Sequence, residues 1–99
     1  MQYARLGSTG IEVSRLCMGT ATFGGQADET ACFAMLDACA AQGVNFIDTA
    51  NAYPLGSDPA DKGESERIVG RWLQGRRHET ILATKGGAVM GPLSWQSGN

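Results

Sequence analysis

Between Arg15 and Thr84, three short apolar runs alternate with two stretches of helical periodicity. The runs occupy residues 15–20, 44–49 and 80–84; the periodic stretches occupy 29–42 and the segment opened by Gly63-Glu64-Ser65-Glu66. A strand that is followed by a helix and then by another strand of the same sheet runs parallel to its successor, because the crossover carries the chain back to the starting end. The alternation therefore predicts an α/β fold with three parallel strands and two covering helices. In such sheets the groups that meet a ligand lie at the C-terminal ends of the strands.

Those ends carry an acid and a base. Asp48 stands near the end of the second run, Lys85 directly after the third, and Tyr53 follows Asp48 by a few residues in Asp48-Thr49-Ala50-Asn51-Ala52-Tyr53. If the two strands are neighbours their ends lie about 5 Å apart, so a carboxylate, an ammonium and a phenol fall within one network. Side chains alternate along a strand, which sets Val44, Phe46 and Asp48 on one side and Asn45, Ile47 and Thr49 on the other. A carboxylate beside Phe46 requires a partner, and Lys85, on the side of Ile81 and Ala83, is the available one. From the residues alone, a solvated aspartate at a strand end is the competing reading.

The remaining chain frames this centre. Residues 3–6 and 11–13 flank Gly7-Ser8-Thr9-Gly10 and predict a small hairpin. The first strand leaves through Gly19-Thr20-Ala21-Thr22-Phe23-Gly24-Gly25, which matches neither common glycine-rich phosphate pattern and is read either as a structural bend or as a ligand-facing loop. Asp28 is the expected N-cap of the first helix, Cys32, Met35, Leu36 and Cys39 its apolar face, and Gly43 its stop. Residues 54–62 read as an exposed loop. In the second helix Ile68, Val69, Trp72 and Leu73 form the buried face, and Arg76-Arg77-His78 beyond Gly75 reads as solvated surface at the far end from Asp48. Leu93 and Trp95 lie in a turn-rich tail, 86–99, with no periodic setting to bury them.

Composition narrows the function classes. A formal net charge of -2 offers no basic footprint for nucleic acid, and no apolar run approaches a membrane span. Cys17, Cys32 and Cys39 are odd in number and match neither a disulfide framework nor a metal site, so they are expected as buried free thiols; the start lacks the long apolar segment of a secretory signal, which implies the cytoplasm.

Taken together, Leu6-Gly7-Ser8-Thr9-Gly10-Ile11-Glu12-Val13-Ser14, the Gly19-Thr20 and Phe23-Gly24 pairs, Asp48-Thr49-Ala50 through Tyr53, Gly63-Glu64-Ser65-Glu66 and Ala83-Thr84-Lys85 resemble the aldo-keto reductase family over essentially all 99 residues. The family fold is a TIM (β/α)8 barrel closed below by a hairpin. The resemblance implies that residues 1–99 form the N-terminal part of such a barrel, with the hairpin, the first three barrel strands, two helices and no second domain. It implies NADP(H)-dependent interconversion of an aldehyde or ketone and an alcohol. Tyr53 would be the general acid, Lys85 the cation that favours its phenolate form, and Asp48 the carboxylate that holds Lys85; Gly19, Thr20 and Asp48 would line the nicotinamide pocket. Phe23, Tyr53, Pro54, Leu55 and Trp95 suggest an aromatic-lined place for the small carbonyl substrate.

The family's carbonyl-binding histidine has no counterpart after Lys85, and a complete barrel needs about 250 residues. The expectation is thus an incomplete chain with little activity of its own and no tight cofactor binding, which self-associates or pairs with a missing C-terminal half. The alternatives are a non-catalytic binding or regulatory subunit and a half-barrel requiring a partner.

Overall fold

The structure is a computed structural model and describes residues 1–98. Tyr3–Arg5 (β1) and Glu12–Ser14 (β2) form the expected antiparallel hairpin, with Tyr3 opposite Ser14 and Arg5 opposite Glu12. Met18–Gly19 (β3), Phe46–Asp48 (β4) and Ile81–Ala83 (β5) form a parallel sheet in the order β3-β4-β5. The helices Glu29–Ala41 (α1) and Glu64–Trp72 (α2) make the two crossovers. Gly19, Asp48 and Ala83 stand level across the sheet, so the two strand ends do meet side by side.

Local chemistry explains both helices. Asp28 caps α1 by accepting from the Ala31 amide at 2.9 Å. Gly43 stops it at φ +87°, and the Val44 amide turns back onto the Cys39 carbonyl. Gly63 opens α2 from a left-handed φ of +94° that a β-carbon would strain. Glu64 and Glu66 complement the positive end of α2.

The core lies between the helices and one face of the sheet. Cys32 and Leu36 of α1 meet Ile68, Val69, Trp72 and Leu73 of α2 over Ile47, and Phe23 joins them. Trp72 Nε1 donates to Asp37 Oδ1 at 2.8 Å and ties the helices at one end, while Arg71 bridges Glu29 and Glu64 at the other. The opposite face of the sheet, bearing Cys17, Gly19, Phe46, Asp48, Ile81 and Ala83 by alternation, carries no covering layer among the described residues. Asn45 anchors the hairpin beneath the sheet: its Oδ1 accepts from the Ser14 amide at 2.7 Å and its own amide donates to Ser14 Oγ.

Several expectations need correction. The first strand is shorter than 15–20, because the Arg15 amide bonds to the Gln2 carbonyl and Ser14 Oγ to the Leu16 carbonyl, so the chain is still leaving the hairpin there. Cys17 is exposed and Cys39 only half-buried; Cys32 alone is fully buried. Met35 is exposed at the margin of the apolar stripe, and Phe33 packs against the core instead. The basic patch is not simply solvated: Arg76 lies 4.3 Å from the centre of the Trp72 ring and 3.2 Å from Asp37, and Arg77 donates to the Thr80 carbonyl. Leu93 and Trp95 are exposed, as their setting predicts. No helix among the described residues is long and apolar enough to cross a membrane.

Candidate active site

The site is assembled from three backbone segments that hydrogen-bond to one another before any side chain is considered. The Thr49 amide donates to the Ala83 carbonyl at 2.9 Å, and the Asn51 amide to the Lys85 carbonyl at 3.1 Å. Parallel pairing thus continues past β4 and holds the tyrosine loop against the end of β5. On the other flank the Thr20 amide donates to the Asp48 carbonyl at 3.1 Å, and the Leu55 amide to the Ala21 carbonyl at 2.8 Å. Tyr53 sits between, its own amide turned onto the Ala50 carbonyl.

Lys85 Nζ donates to Asp48 Oδ2 at 2.6 Å and to the Thr49 carbonyl at 2.9 Å, and stands 4.7 Å from the centre of the Tyr53 ring. The three side chains share one site. The hydrogen bond that Lys85 donates to Asp48 is the main cause that raises the Lys85 pKa above its ordinary value, with desolvation opposing it and Tyr53 adding to it. Lys85 and Asp48 are both substantially exposed, with 48% and 36% of their side-chain surface accessible, so solvent screens the pair and its value here is orientation and charge rather than stability. A charge-assisted bond at this distance holds the ammonium on a fixed bearing toward the phenol.

Gly19 and Thr20 have different surroundings. Gly19 is exposed, and nothing lies within 4 Å of where a β-carbon would project. Thr20 is completely buried, and its hydroxyl donates to the Asp48 carbonyl at 3.0 Å. This corrects its reading as a cofactor-lining residue: it secures the Asp48 backbone from the core side. Phe23, expected against substrate, is 1% exposed and packs in the core, so it too is corrected. Pro54 is buried, while Leu55 and Trp95 are exposed. His78 lies in the short turn Arg77–Glu79, before β5 and away from the site.

Sequence reasoning missed two contributors. Cys17 is close enough to the centre for Asp48 and Lys85 to act on it; partial desolvation and then Asp48 push its thiol up, with Lys85 opposing. Ser65, buried in α2, donates to the Phe23 carbonyl at 2.6 Å. Its signal was a hydroxyl within the motif at the helix start. A cavity of about 220 Å³ lined by Tyr3, Asn45, Trp72 and Arg76 lies near the hairpin. A shallow groove of about 440 Å³ flanks Leu73 and Leu82. Neither includes Asp48, Tyr53 or Lys85. No group of three His, Cys, Asp or Glu side chains among the described residues is placed to hold a metal ion.

Residues 15–99 match the model of the aldo/keto reductase family. The chain is 46% identical over 97 residues to the oxidoreductase YrpG of Bacillus subtilis (strain 168), an alignment that covers 95% of this chain and 28% of that protein. It is 38% identical over 91 residues to an 11.2 kDa protein of the crtE 3′ region of Pseudescherichia vulneris, covering 89% of this chain and 88% of that one. Among solved structures, the aldo-keto reductase AKR11C1 from Bacillus halodurans in its holo form superposes with a TM-score of 0.74 at 37% identity, covering 88% of this chain and 26% of that one. The fold is therefore the opening part of a TIM (β/α)8 barrel: a hairpin, three barrel strands and two outer helices. The chain spans about a quarter of the length of YrpG and of the Bacillus halodurans protein.

Proposed function

Because the chain belongs to the aldo/keto reductase family, we propose that it carries the proton-handling centre of an NADP(H)-dependent oxidoreductase that interconverts a small aldehyde or ketone and its alcohol. The observation that carries this reading is the placement of Lys85 Nζ, 2.6 Å from Asp48 and 4.7 Å from the centre of the Tyr53 ring, at the C-terminal ends of parallel strands. A nicotinamide, when bound, supplies the hydride for the carbonyl carbon. Tyr53 gives its phenolic proton to the carbonyl oxygen, so that hydride and proton together complete the alcohol. Lys85 stabilises the negative charge left on the phenol oxygen, and Asp48 keeps Lys85 charged and aimed. In the reverse direction the same groups take the proton away.

The open face fits a flat ring beside Asp48. Gly19 contributes no side chain there, and the space a β-carbon would enter is free. Gly19 and Asp48 are the residues we assign to that end of the cofactor; the preference for NADP(H) rests on the family. His78 is the one histidine of the sequence and stands at the other end of the sheet. A carbonyl-orienting group and the rest of the cofactor site must come from further barrel strands, and residues 1–99 by themselves are expected to turn over little substrate. The bare sheet face of Phe46, Ile81 and Ala83 supports a partner role for those strands, whether in the same chain or another.

The test is a graft. Replacing the matching segment of YrpG with these 99 residues and assaying NADPH oxidation against a panel of aldehydes and ketones should give carbonyl-dependent turnover. A folded graft that binds NADPH yet reduces none of the panel would overturn the proposal.

A further inference from the structure

Three hydrogen bonds from separate parts of the site converge on residues 63–66, at the start of α2. The Gly63 amide donates to the Tyr53 carbonyl at 2.9 Å. Ser65 Oγ donates to the Phe23 carbonyl at 2.6 Å and so holds the loop that leaves Gly19 and Thr20. Thr84 Oγ1 donates to Glu66 Oε1 at 2.5 Å, one residue before Lys85. None of these α2 side chains touches Asp48, Lys85 or the phenol through a hydrogen bond among the described residues, yet together they tether the backbone on every side of those groups.

From this convergence we infer that the first turn of α2 is the element that positions the site, with Glu66 and Ser65 as positioning residues: Glu66 sets the direction of Lys85 through Thr84, and Ser65 sets the loop beyond Gly19. The inference rests on the reading of Tyr53, Lys85 and Asp48 given above. A purely structural role would leave Glu66 as an acid complementing the positive end of its own helix, and that role needs no bond to Thr84. The two differ in what happens to Lys85. Thr84 is adjacent to it, and the Lys85 carbonyl accepts from the Asn51 amide at 3.1 Å, so a strand end free to rotate would shift both the ammonium and the tyrosine loop.

The experiment is a lysine-resolved carbon NMR titration of the full 99-residue chain. Thr84→Val removes the donor but keeps the shape and the Glu66 charge, and Thr84 is exposed, so the fold should tolerate it; Thr84→Ala is the second variant. Both should lower the Lys85 pKa, by less than Asp48→Asn does, and speed exchange of the Asn51 amide. Thr84→Ser and Glu66→Gln keep a donor and an acceptor and should leave the titration where it was. Asp48→Asn is the reference and should lower it most. If Asp48→Asn lowers the Lys85 pKa while Thr84→Val and Thr84→Ala leave it unchanged, the positioning role is wrong. If Asp48→Asn itself has no effect, the ion-pair reading beneath it fails first.

Discussion

Replacing Ser65 with alanine removes one oxygen and exposes what that oxygen satisfies. Ser65 is completely buried, and its hydroxyl donates to the carbonyl of Phe23, a residue that is itself 1% exposed. The substitution leaves almost no cavity, so the packing term is small. The carbonyl loses its bond in a place where a replacement water would have to enter the core. A buried acceptor left without a partner costs about 1–3 kcal/mol, which shifts the folding equilibrium about fivefold to 150-fold. With a urea slope of about 1–3 kcal/mol per molar for a small protein, the midpoint should fall by about 1 M. Hydrogen exchange should localise the damage: the Gly24 and Ala27 amides, which close the loop onto the Ala27 and Thr22 carbonyls, should lose protection before the Cys32 amide within α1. A change below about 0.5 kcal/mol, within the range of an ordinary surface substitution, would refute the reasoning and mean that solvent reaches the Phe23 carbonyl.

Leu36→Ala should cost about 2–5 kcal/mol in the same denaturation assay, whereas Met35→Ala, one position away but exposed, should cost less than about 1 kcal/mol. Gly24→Ala should destabilise more than Gly56→Ala: both glycines have positive φ, but a β-carbon at Gly24 would meet Glu64 Cγ at 2.7 Å, while nothing lies within 4 Å at Gly56. Lys85 gives a pH signature. Its pKa is raised on folding, so its contribution to stability is complete below the ordinary value of 10.5 and is lost as pH rises through the folded value. Lys85→Met should therefore lose this contribution at neutral pH, a small loss because the pair is solvent-exposed, and converge on the parent as pH rises through the folded value, which flattens the alkaline limb.

The alternation of apolar runs with helical periods was enough to read the parallel sheet, because each strand type and each crossover leaves its own period in the residues. Asp48 and Lys85 were legible for the same reason: parallel neighbours of matched length deliver their ends side by side. What the residues did not show is which polar groups serve the backbone. Thr20 looks like a ligand-facing residue until its hydroxyl is found on the Asp48 carbonyl. Ser65 and Thr84 act across gaps of 42 and 18 residues, and no local spacing encodes such pairs. Phe23 reads as ligand-facing because a loop residue is ordinarily exposed, whereas this loop turns its aromatic ring into the core. Arg76 reads as solvated because its carboxylate partner, Asp37, lies 39 residues away on the other helix.

The most direct measurement is the turnover of the YrpG graft carrying Tyr53→Phe, which removes the phenolic proton and keeps the ring beside Lys85. The expected result is a fall in kcat of about 10²–10⁴, the contribution of a positioned general acid, with NADPH affinity unchanged. A kcat within about tenfold of the parent graft, less than such an acid contributes, would mean that the proton comes from elsewhere and would contradict the assignment of this site.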